Sequence, residues 1–131
     1  MSIRREALLW MNQAESDLKK AENDVKTSDF DSAAFWSHQA AEKSLKALLV
    51  HYGKAYRGHD LVDMGKILRT DFNLDITTIE KELRELTMHY TVSRYPDAAN
   101  SLPYELYDRE KAVELVERAR RVVEWARQRL R

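Results

Sequence analysis

FDSAAFWSHQAAEKSLKALLVHYG, residues 30–53, decides how the chain folds. Ala34, His38, Ala41, Leu45, Leu48 and Tyr52 recur at 3–4 spacing, which is one stripe of an amphipathic helix. Phe30, Ala33, Ser37, Ala40 and Ala47 form a second row beside it. Two such rows predict a central helix covered on more than one side, and its small residues let neighbouring helices approach closely. Asp29 or Asp31 can cap its start, and Gly53 fits its stop.

The flanking sequence repeats this pattern. Upstream, Ala7, Met11, Ala14, Leu18, Ala21 and Val25 are spaced 4, 3, 4, 3, 4. Downstream, after the linker GKAYRGH, Asp60 can cap a short helix carrying Leu61, Met64, Ile67 and Leu68. The segment ITTIEKELRELTMHY places Ile76, Ile79, Leu83, Leu86 and Tyr90 at helical spacing. Asp108 reads as the N-cap of a last long helix with the stripe Ala112, Leu115, Ala119, Val122 and Ala126. No alternating β-branched run competes with these helices. The prediction is an all-α, up-and-down bundle of four or five helices in one domain spanning 1–131. Three helices of about 22 residues would each be roughly 33 Å long. A bundle this small leaves long faces partly uncovered. Trp10, Trp36 and Trp125 lie at or beside the stripes, so a homodimer is expected, although each tryptophan taken singly fits a core.

Composition narrows the function. Lys plus Arg and Asp plus Glu both number 22, giving zero formal net charge, which argues against a uniformly basic nucleic-acid binder. The absence of cysteine removes disulfides, thiolate metal sites and cysteine nucleophiles. The N-terminal residues MSIRREALLW hold no apolar run long enough for a signal peptide or membrane span. A cytoplasmic protein without membrane association, metal or cofactor is expected.

Several clusters could carry chemistry. Glu42 and Lys46 share a helix face at i, i+4; the plain alternative is an exposed ion pair. From Lys43 to His59 there is no carboxylate, while Lys43, Lys46, Lys54, Arg57, His51 and His59 all occur. Such a run could bind phosphate, or simply match a helix C-terminus. None of the four histidines has metal-site spacing, and His38 or His89 alone on a helix reads as packed or solvated. The tail from Arg118 to Arg131 sets six arginines against Glu124; a solvated helix end is favoured over an RNA contact.

Residues 89–108, HYTVSRYPDAANSLPYELYD, stand apart. They hold both prolines, four of the six tyrosines and the lone Arg94. Pro96 disfavours helical geometry at Tyr95, so the preceding helix is expected to end there. Arg94 is left among Tyr90, Tyr95, Tyr104 and Tyr107. Guanidinium on phosphate with rings on base is one way to hold a nucleotide. The alternative is a packed aromatic loop in which Arg94 bonds carbonyls or Asp97.

FDSAAFWSHQAAEKSLKALLVHYG, GHDL, YTVSRYPDA and a long alanine-rich terminal helix, in that order, resemble the HEPN domain family over nearly the whole chain. The resemblance implies a homodimeric helical bundle linked to nucleotides or RNA. It also implies a partner, a minimal nucleotidyltransferase, in a toxin–antitoxin-like or regulatory pair. In the family's ribonuclease branch an arginine is followed four to six residues later by histidine, and a polar residue and a lysine lie four apart on an earlier helix. Glu42 and Lys46 fit the earlier element, and Arg94 fits the arginine. The histidine is absent: Asn100 or Ser101 stands in its place. Asparagine does not titrate, and arginine is no general base. The expectation is therefore a binding module, not catalytic alone. In it Arg94, Tyr95 and Asp97, with Lys43, Lys46 and Glu42, hold a nucleotide or RNA phosphate. A degenerate ribonuclease and a structural adaptor are the alternatives.

Overall fold

A computed structural model describes residues 3–130. The helices are α1 (Arg5–Lys26), α2 (Phe30–His51), α3 (Leu61–Phe72), α4 (Glu80–Leu86), α5 (Pro96–Ala99), α6 (Pro103–Leu106) and α7 (Arg109–Arg129). A 3₁₀ turn, Thr87–Tyr90, follows α4. The described residues contain no strand, so the expected all-α bundle is what the chain adopts.

Central α2 packs against α1 along its length and against α7, with α3 and the 3₁₀ turn on its remaining sides. Small residues make this close approach feasible: Ala7, Ala14, Ala21, Ala33, Ala34, Ala40, Ala41, Ala47, Ala112, Ala119 and Ala126 are fully buried. Leu45, Leu48, Leu49, Met11, Leu115 and Val122 fill the space between them. Trp125 belongs to this core, whereas Trp10 is only partly covered. No described helix is long and apolar enough to cross a membrane.

Local chemistry sets the helix ends. The Asp60 carboxylate accepts from the Asp63 amide at 3.0 Å, and Asp108 from the Lys111 amide at 2.8 Å, so both are true N-caps. Asp29 occupies the N-cap position of α2 without bonding an amide; it accepts from the Thr27 hydroxyl instead. Gly53 ends α2 with φ +82°, and the Lys54 amide returns to the Leu49 carbonyl at 2.8 Å. Gly53→Ala should cost about 1–2 kcal/mol, because a Cβ in the left-handed region meets its own carbonyl. A urea midpoint equal to that of the wild type would contradict this.

Two details of the 76–108 region differ from expectation. Residues 76–90 do not form one helix. The Asp75 carboxylate accepts from both the Thr77 amide and hydroxyl, and this turn delays α4 to Glu80. The β-branched run Ile76–Ile79 adds little helix propensity to oppose it. The proline-rich stretch is also not wholly irregular. Pro96 and Pro103 each occupy the first turn of a one-turn helix, where the missing N–H costs nothing.

Candidate functional site

The α2 face formed by residues 35, 38, 42 and 46 meets the end of the 3₁₀ turn and the α2–α3 connection. Pro96 holds Tyr95 extended, at φ −113° and ψ 119°, so helical structure stops and Arg94 turns back. Its Nε donates to the Tyr90 carbonyl at 2.9 Å. Its guanidinium carbon lies 4.5 Å from the Phe35 ring, 4.5 Å from Tyr90 and 4.7 Å from Tyr95. No carboxylate among the described residues pairs with it. Arg94 forms one wall of a cavity of about 500 Å³, shared with Asp31, Phe35, Pro96, Leu102 and Tyr104.

On the other side of Tyr90 is a polar cluster. The His59 ring stacks on Tyr90 with centroids 3.7 Å apart. The imidazole of His59 and the guanidinium of Arg94 therefore stand within about 8 Å of each other. His59 Nδ1 donates to Glu42 Oε1 at 2.7 Å, and Lys46 Nζ donates to Glu42 Oε2 at 3.0 Å. Beneath them, His38 Nε2 donates to the His59 carbonyl at 3.0 Å, and Nδ1 accepts from Gln39. A carbonyl accepts only, so this network fixes a neutral tautomer. Burial, opposed by the Glu42 charge, pushes the His38 pKa down to about 4. The 4.0 Å approach of His38 to Glu42 is therefore not an ion pair at neutral pH.

The sequence-predicted residues divide into two groups. Glu42, Lys46, Arg94 and Tyr95 lie in this region. Asp97 is exposed in the first turn of α5 and makes no hydrogen bond or ion pair with Arg94. Lys43 does not join the group, which corrects the expected shared lysine face. One residue on from Glu42 along a helix means a rotation of about 100°, and Lys43 turns to α1. There it bonds the buried carboxylate of Asp17 and lies 5.7 Å from the Trp36 ring. Of the tyrosines, Tyr104 lines the cavity, whereas Tyr107 is buried and bonds His89 Nδ1 at 2.6 Å. Burial, then the Asp31 charge, raises the Tyr107 pKa. His38 and His89 are packed, as a lone histidine on a helix suggested.

The two cationic runs are largely neutralised by acids from elsewhere. Lys54 approaches Asp71 at 4.0 Å. Arg118 pairs with Glu82 at 2.6 Å, Arg120 with Glu22 at 2.9 Å, and Arg127 with Glu15. Arg131 lies outside the described residues. Sequence reasoning missed Phe35 beside Arg94; it placed His59 in the cationic run 43–59 but gave no sign that the ring stacks on Tyr90 next to Arg94.

Fold and site together define a small helical bundle whose polar centre is an arginine gripped by aromatic rings. Known proteins share this fold. TT1696 from Thermus thermophilus is similar at TM-score 0.87 and 28% identity, over 95% of this chain and 98% of that one. ST0689, described as an archaeal HEPN homologue, is similar at TM-score 0.78 and 31% identity, over 95% and 98%. In sequence, a Methanocaldococcus jannaschii protein named "Putative toxin MJ1304" is 28% identical over 127 residues, which cover 90% of this chain and 84% of that protein. Residues 7–129 match the HEPN domain, and the chain belongs to that family.

Proposed function

We propose that this chain is a homodimeric HEPN module that holds a phosphate of a nucleotide or RNA at Arg94. It would work beside a minimal nucleotidyltransferase in a toxin–antitoxin-like or regulatory pair. One observation carries the binding reading: an exposed guanidinium with no carboxylate partner among the described residues, stacked between aromatic rings at the wall of an open cavity. Such a group keeps its outer N–H donors for phosphate, and a ring beside it offers a base a stacking surface. Tyr95 and Tyr104, both exposed, supply such rings. Lys46, on the same side of α2, adds positive charge that Glu42 partly offsets. The toxin name of the archaeal relative favours a paired system. Exposed Leu102, Leu106, Tyr104 and Met88 offer apolar surface for a second copy, which sedimentation equilibrium tests directly.

Calorimetry with ATP, GTP and a short oligoribonucleotide tests the site. At least one should bind, and Arg94→Ala should weaken it about 10- to 100-fold, the worth of a charge-assisted pair. Absence of heat with all three leaves a structural adaptor. Copurification with a co-expressed minimal nucleotidyltransferase tests the partnership.

A further inference from the structure

Between α3 and α4 lies a groove that the Arg94 site does not use. Val62, Lys66 and Arg69 follow at i, i+4 and i+7 along one face of α3, and Glu80, Leu83 and Arg84 share a face of α4. The two faces and Ile76 border a cavity of about 140 Å³. Gly65 brings its walls together. A Cβ there would stand 2.7 Å from Leu83 Cδ1 and 3.3 Å from Ile76 Cδ1, so the missing side chain lets α4 and the Asp75 turn lie directly on α3. Buried Ile76 and Leu83 make the floor apolar, and partly buried Val62 forms a wall. The rim is cationic. Lys66 and Arg69 are exposed and pair with no carboxylate among the described residues. Arg84 only approaches Glu80, at 3.8 Å, with both side chains open to water. The other acids of α3 are engaged elsewhere: Asp63 accepts from the Tyr56 hydroxyl, and Asp71 faces Lys54. Three cations thus stand against one acid around an apolar floor.

We propose that the α3–α4 groove docks an acidic segment of a partner protein, with one aliphatic side chain seated in the cavity and carboxylates on Lys66, Arg69 and Arg84. The complementarity is both of shape and of charge. The cavity has room for a single side chain, and the flexible stems of the lysine and arginines extend its apolar walls. Nucleic acid fits it less well, because no aromatic ring lines the cavity to stack a base. The seated side chain supplies most of the affinity, since exposed ion pairs contribute little each. The charges decide which partner is admitted and how fast it arrives. A contact this small is weak and sensitive to salt. It shares no lining residue with the Arg94 cavity, so it operates whether or not Arg94 holds a phosphate.

The test is fluorescence anisotropy of a fluorescein-labelled heptapeptide, a central leucine with three glutamates on each side, titrated with the purified full chain. Saturable binding is expected. The peptide with serine in place of the leucine should bind about 10-fold more weakly, the worth of one buried aliphatic side chain. Lys66→Glu combined with Arg69→Glu should weaken the leucine peptide about 10-fold or more. Both positions are exposed, so the urea midpoint of this variant should match that of the wild type. The variant should in turn gain affinity for the peptide that carries lysines in place of the glutamates. Oligouridylate should not displace the acidic peptide from the wild type. No saturable binding, equal binding of the leucine and serine peptides, or equal binding by wild type and the charge-reversed chain overturns the proposal. Displacement by oligouridylate overturns it too, and makes the groove a site for nucleic-acid phosphate.

Discussion

Acidification from pH 6.5 to 4 should remove about 3 kcal/mol of folding stability for each of two buried histidines, His38 and His89. Burial is the main cause in both, and it lowers each pKa from 6.5 to about 4. For His89 the Lys111 charge acts in the same direction. Above pH 6.5 the imidazoles are neutral in both folded and unfolded chains, so they contribute no pH dependence. Below it, the unfolded chain binds protons that the folded chain refuses until about pH 4. Stability therefore falls across this window, by up to about 1.4 kcal/mol per pH unit per histidine. Carboxylates also titrate there, so the decisive quantity is a difference between variants. His38→Gln retains a donor for the His59 carbonyl and should flatten the urea-midpoint profile between pH 6 and 4.5. A profile parallel to that of the wild type would show that His38 is not held neutral by its surroundings.

Lys43→Met should destabilise the bundle by about 2–3 kcal/mol while leaving phosphate binding at Arg94 unchanged. The Asp17 side chain is 0% exposed. Its oxygens accept from Lys43, from Gln13 at 2.9 Å and from Lys20 at 3.2 Å. The Lys20 ammonium also lies 4.4 Å from the Trp36 ring, and that of Lys43 lies 5.7 Å from it. Removing Lys43 leaves a buried carboxylate with one amide and one half-exposed lysine, which compensates part of the loss. Removing both charges behaves differently. Asp17→Leu combined with Lys43→Met replaces a buried ion pair with apolar contact, and most of the stability should return. Chemical denaturation of the two single variants and the double variant measures this coupling. Loss of ligand binding in Lys43→Met, with the wild-type urea midpoint retained, would place Lys43 in the site after all.

Legibility of this chain in its sequence followed the range of the interactions involved. The stripes of α1, α2 and α7, the caps Asp60 and Asp108, and the Gly53 stop depend on neighbours within a turn or two, and they appear where the spacing puts them. The split of residues 76–90 also had a local cause, the Asp75 turn, but hydrophobic periodicity runs straight through such a turn and conceals it. For the site, the arginine motif pointed to Arg94 and to the Glu42–Lys46 pair. Lys43 looked like part of the same basic face because its partner, Asp17, lies 26 residues away on another helix.

By itself, the sequence determined the helical class, the central place of α2 and the break that frees Arg94, because period, capping and proline geometry act through the nearest residues. Only the tertiary structure decided which charges meet. Packing α1 against α2 gave Lys43 to Asp17, and the α2–α3 connection brought His59 to Glu42 and Tyr90. The physical reason is that a charge is stabilised by whatever partner the folded chain carries into its low-dielectric surroundings. That partner is set by helix rotation and packing, which residue spacing along one helix does not encode.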